Sequence, residues 1–462
     1  MSKSLHDEEL KMLRKAVDRN EKERKVRKIA GQDMKRMVQI IEQFLISTKR
    51  ICYGGTAINN ILPIADQFYD REVEIPDYDF YSPEAMKDAK KLADIYLKSG
   101  FEEVTASAGM HPGTFKVFVN FVPMADITQL VPELFKNLQR DALIINQIYY
   151  SPPNFLRMLA YLELSRPLGD TSRWEKVLKR INLLNKNYPL KGLDCENINI
   201  QRLYNADHEI DAEEKLIFDI TRKSLINKGC VFFGALASKM ILKYLPRYRY
   251  EKIPNVPDFD VLSMNPHKTA IFLKERLEDA GIKKIQIIER KRAGEIVGKH
   301  YEVVVGKETI VFIFEPLGCL SYNIIKDKSR KIRIATIDTL LNLYLAFLYT
   351  DRPYFDDKRI LCISEYMFKV QQQNRLKQKG LLERFTISCY GEQETVSDMR
   401  SKKSRKYNEL KNQRGSTKWD EYFLRYNPYR EKYKGKNNTR KNMKTPKKQK
   451  GKKTRRTNMF GI

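Results

Sequence analysis

The stretch IPDYDFYS at residues 75–82 returns as VPDFDVLS at residues 256–263, 181 positions later, and this repeat constrains the fold more than any other feature of the chain. Gly100 in LKSGFEEV meets Gly281 in LEDAGIKKI at the same spacing. Upstream, CYGGTAINNIL is echoed by VFFGALASKMIL, which sets Gly55 against Gly234 at a shift of 179. Downstream, MLAYLELSRP ending at Pro167 matches YLAFLYTDRP ending at Pro353, a shift of 186. Four anchors in one order, drifting by a few residues as loops lengthen, mean two copies of one folding unit.

Each copy has the same grammar. A short apolar strand (residues 51–53) runs into glycines and then a helix (57–62). An acidic strand follows, then an amphipathic helix over about 83–98, with Ala85, Ala89, Leu92, Ala93 and Tyr96 at helical spacing. Gly100 stands where a helix C-cap belongs. Alternating Phe115, Val117, Val119 and Phe121 read as a half-buried strand. A helical segment over about 153–184 closes the unit, with Ser172 and Glu175 at capping-box spacing. One amphipathic helix over 33–47 precedes the first copy through Met34, Met37, Val38, Ile41, Phe44 and Leu45. The expected class is α+β: a duplicated mixed sheet with helices, an N-terminal helix and a disordered basic C-terminal tail. The expected divisions are 1–49, 50–150, 151–215, 216–400 and 401–462.

The first copy carries a pattern suited to chemistry. Asp77 and Asp79 lie at i and i+2 on a strand, so both carboxylates leave the same face. Such neighbours repel unless a cation lies between them, and a hard divalent cation takes oxygen ligands while keeping positions open for phosphate. Gly54-Gly55-Thr56 joins a strand to a helix, where missing side chains and the helix N-terminus admit a phosphate and the threonine hydroxyl can add a bond. The 22 residues from Gly55 to Asp77 suffice to run a helix and return to the neighbouring strand. A third acid, Asp126 in VPMADIT, follows another strand. Together Asp77, Asp79 and Asp126 could hold two metal ions, one activating an attacking hydroxyl and one clamping a triphosphate.

Strand–GG[ST]–helix, then DxD, then a third Asp resembles the polymerase β-type nucleotidyltransferases. More narrowly, CYGGTAINNILP, IPDYDFYSP, LADIYLKSGF and FVPMADITQL resemble the catalytic poly(A) polymerase subunit of large cytoplasmic DNA viruses of the pox, asfar and mimivirus type. The resemblance spans about 30–360 and is densest over 50–185. It implies template-independent addition of AMP to an mRNA 3′ end, with ATP as substrate and two Mg²⁺ or Mn²⁺ ions. It also implies a degenerate second nucleotidyltransferase-like unit. Carried over residue by residue, Gly54, Gly55 and Thr56 would hold the triphosphate and the three aspartates the metals. Partners would be the RNA 3′ end and ATP, with a homodimer or a viral processivity subunit left open. The setting would be the host cytoplasm, in the viral factory, and the virion.

The second copy departs from the pattern. On the alignment above, Phe233 stands for the first glycine and Ala235 for Thr56, while Asp258 and Asp260 persist. The nearest match to Asp126 is Glu315, across a gap. Such a unit would be structural or RNA-holding. Arg157, Arg166, Arg173, Trp174 and Lys176 lie in the helical segment where this fold meets nucleotide or primer, and Arg173 and Lys176 are the nucleotide-binding candidates among them. His111 precedes a strand as a loop residue, and Tyr53 reads as core. Other readings are an oligoadenylate synthase, a CCA-adding enzyme or a non-catalytic RNA-binding subunit. Primer dependence separates the first of these, and the intact first copy weighs against the last.

Charge supports a polyanion partner. Of a net +28, residues from 401 onward contribute 22 Lys/Arg against 4 Asp/Glu, which leaves +10 for the first 400 residues. No run of 18 apolar residues occurs, and the first ten residues do not form a secretory signal. Six cysteines without a CxxC or Cys/His cluster argue against a zinc site or a disulfide framework, and for a reducing compartment. Residues 432–456 hold 13 Lys/Arg, no acid and no Val, Ile, Leu or Phe, which predicts disorder and sequence-blind attraction to RNA. Each phosphate neutralised contributes roughly 0.7 to the salt slope on single strands. If about five of those charges engage, truncation after Arg430 is expected to flatten the slope of log affinity against log salt by about three to four. Filter binding of a labelled RNA across a salt series checks this, and an unchanged slope would assign the tail another role.

Overall fold

The computed structural model describes residues 8–17, 19–20, 32–69, 76–196, 198–199, 201–202, 209–245, 257–327 and 330–431. The segment 432–456 singled out above lies outside them. The first copy supplies β1 (Ile51–Cys52), β2 (Tyr78–Ser82), β3 (Val104–Ala108), β4 (Thr114–Val119), β5 (Val122–Gln129), β6 (Leu143–Ile145) and β7 (Ile148–Tyr150). The second supplies β8 (Val231–Phe233), β9 (Phe259–Leu262), β10 (Ile285–Arg290), β11 (His300–Val305), β12 (Glu308–Phe314), β13 (Leu320–Asp327) and β14 (Arg330–Ala335). Two further strands, β15 (Cys389–Tyr390) and β16 (Arg425–Tyr426), come from the C-terminal region.

The duplication read from sequence becomes two sheets of one topology. The first runs β16-β3-β4-β5-β2-β1-β7-β6 and the second β10-β11-β12-β9-β8-β14-β13-β15. Without the two added edge strands the orders correspond strand for strand. Directions agree as well: β1–β2 and β8–β9 are antiparallel, while β2–β5 and β9–β12 are parallel. Each mixed sheet carries helices, so the class is α+β, as expected.

Apolar periodicity located the helices well. Gln32–Thr48 buries Met34, Met37, Ile41, Phe44 and Leu45. Ala85–Lys98 buries Ala85, Ala89, Leu92, Ala93 and Tyr96, whose hydroxyl donates to the Met37 carbonyl at 2.8 Å. Three local expectations are corrected. Phe121 is not in a strand: Asn120 and Phe121 have φ of 48° and 63°, forming the turn between β4 and β5 with Phe121 exposed. Ser172 and Glu175 do not form a capping box, because a 3₁₀ turn, Thr171–Arg173, intervenes before the helix Trp174–Asn187. Ser172 donates to Asp170 at 2.5 Å and Glu175 pairs with Lys179. The expected tail is ordered over residues 401–431, where Val396–Leu410 and Thr417–Phe423 are helical. Tyr407, Trp419 and Phe423 cluster there, Leu424 is buried, and β16 extends the first sheet by pairing with β3. A few aromatics in a basic stretch suffice to anchor it, and average composition hides them.

The cysteines also overturn an expectation. Cys195 pairs with Cys362 and Cys319 with Cys389 as disulfides, over sequence separations of 167 and 70 residues. Partners that far apart leave no local spacing to read.

One apolar cluster joins the two copies, while a second belongs chiefly to the first copy and the helix that precedes it. Phe155 and Tyr161 of the helix Pro153–Leu164 lie in the joining cluster with Phe233, Leu341 and Phe347, the last two from the helix Ile337–Phe347. Asn342 donates to the Met158 carbonyl at 3.2 Å and Asn137 to that of Tyr349 at 3.0 Å, tying the copies together through buried amides. Asp338 is fully buried and bound bidentately by Arg384, at 2.6 and 2.8 Å. Removing one partner of such a pair strands a charge in the interior, at a cost of about 3–5 kcal/mol. Arg384→Met is therefore expected to destabilise the protein by about that much in urea unfolding, and Arg384→Met with Asp338→Leu by less.

Candidate active site

The site grows from the junction of β1, β2 and β5. Tyr53 leaves β1 extended and donates its N–H to the Asp79 carbonyl at 2.9 Å, and the helix Gly54–Ile61 starts there. Gly54 has φ 73°, and a Cβ on it would collide with the Asp79 carboxylate. Glycine is required twice over, by conformation and by approach. Parallel pairing of β2 with β5 sets Asp79 opposite Asp126, and β4 sets Lys116 opposite Asp126 on the other side. One row thus reads Asp79, Asp126, Lys116 across three strands, with Asp77 two residues before Asp79.

The electrostatics follow from that crowding. Burial, then Asp77 and Asp126, push the Asp79 carboxyl up to about 7, with Lys116 and Arg173 opposing. Burial and then Asp126 also raise Asp77. Lys116 forms an ion pair with one oxygen of Asp126, while the other, Oδ1, is buried without a hydrogen-bond partner. Among the described residues no three acids close into a ligand group, and Lys116 takes one oxygen of Asp126. Their chemistry nevertheless fits a hard divalent cation: oxygen donors, mutual repulsion that a cation relieves, and an orphaned buried acceptor. Lys116 was not a sequence candidate. Alternation along β4 places it on the face opposite Phe115 and Val117, but only strand register shows which acid it meets.

The other candidates separate. Thr56 is buried and its hydroxyl donates to the Asp77 carbonyl at 2.7 Å, which ties the start of the helix to the acid segment. Above Gly55 lies Arg180, which sequence reasoning missed. A Cβ on Gly55 would lie 2.5 Å from the Arg180 guanidinium and from the Tyr69 hydroxyl, which are themselves 2.5 Å apart. The guanidinium also lies over the Phe68 ring at 5.2 Å, and its Nε is buried without a partner. Asn59 holds this roof by accepting from the Phe68 and Tyr69 amides at 2.8 Å each. Arg173 pairs with Glu163 at 3.3 Å, and Lys176 is exposed. Arg180 lies one turn beyond Lys176 along the same helix, so helical spacing was the available signal.

Arg157 is fully buried on Asn154, Asn185 and the Tyr188 carbonyl, and Arg166 is mostly buried and bonds the Leu317 carbonyl at 3.1 Å. Both serve the interior rather than a bound nucleotide. Trp174 donates to the Glu163 carbonyl at 3.0 Å, and His111 is exposed on a turn. Tyr53 is half-buried, stacked on Tyr81 at 4.0 Å with its hydroxyl 2.8 Å from Thr128.

The structure also corrects the registration of the copies. Phe233 has the backbone of Tyr53, and Gly234, at φ 74°, approaches Asp260 as Gly54 approaches Asp79. The first glycine therefore survives as Gly234, Ala235 takes the place of Gly55 and Leu236 that of Thr56. Because β9 pairs Asp260 with Phe312, the counterpart of Asp126 is Phe312, not Glu315.

A glycine-started helix over a strand pair bearing acids, in this sheet order, defines a polymerase-β-like nucleotidyltransferase fold. The crystal structure of the Megavirus polyadenylate synthase shares it, at a TM-score of 0.76 and 21% identity, over 96% of this chain and 90% of that one. The particular resemblance is to viral poly(A) polymerases: residues 39–170 match the family model of the poly(A) polymerase catalytic subunit. A protein of African swine fever virus assigned as such a subunit is 30% identical over 167 residues, 35% of each chain. Its counterpart in Acanthamoeba polyphaga mimivirus is 32% identical over 163 residues, 34% of this chain and 27% of that protein. The matched stretch thus spans about a quarter to a third of the length of these relatives.

Since Asp79 holds its proton more tightly folded than unfolded, metal-free stability is expected to fall as pH rises from about 4 to about 7. Asp79→Asn should remove part of that fall, and Mn²⁺ should reverse it in the unaltered protein alone. Melting curves in a chelator and in Mn²⁺ across this range check the sign. A melting temperature that rises with pH equally in both proteins would contradict it.

Proposed function

We propose that this protein is a template-independent RNA 3′-end polymerase that adds AMP from ATP, a polynucleotide adenylyltransferase acting in mRNA polyadenylation. The observation that carries the reading is the facing of Asp79 and Asp126 on adjacent parallel strands, with Asp77 beside them and the side-chain-free Gly54 packed directly against the Asp79 carboxylate. The poly(A) polymerase match over residues 39–170 and the shared fold over nearly the whole chain support it.

Asp77, Asp79 and Asp126 would hold divalent Mg²⁺ or Mn²⁺, which supplies Lewis acidity to the attacking 3′-hydroxyl and charge neutralisation to the triphosphate. Lys116 holds one oxygen of Asp126 in an ion pair beside the other two acids. Gly54 and Gly55 open the helix N-terminus, whose free N–H groups and dipole favour phosphate oxygens. Arg180 brings a positive charge over Gly55, where it would orient the triphosphate. Thr56 keeps Asp77 in line through the backbone. The net charge of +28 suits an RNA primer. Among the described residues no helix is long and apolar enough to cross a membrane.

Loss of a metal ligand removes several kcal/mol of transition-state stabilisation, or a few orders of magnitude in rate. Asp77→Ala or Asp79→Ala is expected to abolish extension of a labelled RNA primer by ATP while RNA binding persists. A double variant extending at the normal rate would place the active site elsewhere. Products made without primer would favour an oligoadenylate synthase, and extension by CTP a CCA-adding enzyme.

A further inference from the structure

The second copy keeps an acid pair that the proposed reaction does not use. Asp258 and Asp260 are buried, under Gly234, in the place of Asp77 and Asp79. Two buried carboxylates side by side demand a cation. The rest of the row has changed sign and character: where the first copy reads Asp79, Asp126, Lys116, the second reads Asp260, Phe312, Glu302. Glu302 is itself taken by Arg290, at 2.6 Å.

The cation is Arg202. Its Nη1 lies 2.8 and 3.0 Å from the two oxygens of Asp260. Its Nε lies 3.0 Å from Asp258 Oδ2, and its backbone N–H donates to that oxygen at 3.1 Å. Nη2 donates to the Phe259 carbonyl at 3.2 Å, and the guanidinium sits 4.7 Å over the Phe312 ring, the residue standing for Asp126. The segment that delivers it is pinned nearby. Cys195 is bonded to Cys362, the Gly192 amide donates to Glu365 at 2.7 Å, and the Tyr366 hydroxyl donates to the Cys195 carbonyl at 2.8 Å. Arg359, from the same helix Asp357–Gln373, adds a second positive charge toward the acids. Burial lowers the pKa of Arg202, but the two carboxylates more than offset it, so the side chain stays charged.

We propose that Arg202 is a built-in cation filling the metal position of the second copy, which closes that copy to divalent ions and nucleotide and leaves a latent metal site beneath. The replacement of Asp126 by Phe312 is then one change with the arrival of Arg202: an aromatic face accepts a guanidinium where a third carboxylate would have called for a metal. A permanently tethered cation also holds this half of the shared core together without any dependence on metal supply. The inference rests on the geometry of the second copy and not on what the first copy synthesises.

Anomalous diffraction from Mn²⁺-soaked crystals of the unaltered protein tests the closed state: no peak is expected at Asp258/Asp260, and a peak there overturns the proposal. Arg202→Ala tests the latent site. It should melt at a lower temperature than the unaltered protein, bind one more Mn²⁺ per chain in equilibrium dialysis, and regain melting temperature with Mn²⁺. The same variant carrying Asp258→Asn and Asp260→Asn should show neither gain. A folded Arg202→Ala protein whose Mn²⁺ count and melting temperature ignore the second acid pair overturns the proposal. If Arg202→Ala does not fold, Arg202→Met keeps the stem over Phe312 and carries the same measurements.

Discussion

Mutual repulsion between carboxylates at i and i+2 on a strand is the constraint that the rest of this structure answers. Each copy sets the second acid of such a pair in a central strand, against a glycine at φ near 74° whose absent side chain lets helix and acid approach. Burial raises the cost of every unneutralised charge, so the surroundings of the pair decide what each copy can be.

The two copies answer differently. In the first, a third acid on the adjacent strand deepens the repulsion, and Lys116 relieves it only partly, leaving Asp79 pushed up to about 7. That is a poised arrangement, with one buried oxygen of Asp126 unpartnered and Arg180 over Gly55. In the second, Arg202 binds both acids and an aromatic ring replaces the third. One topology therefore yields a centre where a lysine meets only Asp126 and one where an arginine reaches both paired acids. The helices Pro153–Leu164 and Ile337–Phe347 bind the two through a shared core, so the second copy supports the first mechanically.

The C-terminal region extends both sheets at their edges. β15 pairs with β13, and β16 pairs with β3, each covering backbone groups that would otherwise face water or another chain. Lys90 to Asp420 at 2.8 Å and Tyr426 to Asp94 at 2.6 Å fasten the second of these to the helix Ala85–Lys98. The basic C-terminal region is thus in part a structural clasp on the first copy.

The sequence by itself determined the duplication, the α+β class, the helical faces and the grouping of Asp77, Asp79 and Asp126 near Gly54 and Gly55. These follow from periodicity, from repeated anchors in one order and from short motifs, Asp126 joining the first two acids as the acid of a later strand motif. Tertiary structure alone decided which residues meet across strands and between copies. Strand register put Lys116 on Asp126, and Phe312, not Glu315, in the corresponding place of the second copy. Helix packing brought Arg180 over Gly55, 125 positions earlier in the chain, and turned Thr56 toward the Asp77 carbonyl. The pairing of Cys195 with Cys362 and the seating of Arg202 between Asp258 and Asp260 join segments far apart in sequence. Local patterns encode which face of an element is apolar, but a contact between distant elements depends on register and approach, and no local spacing records those.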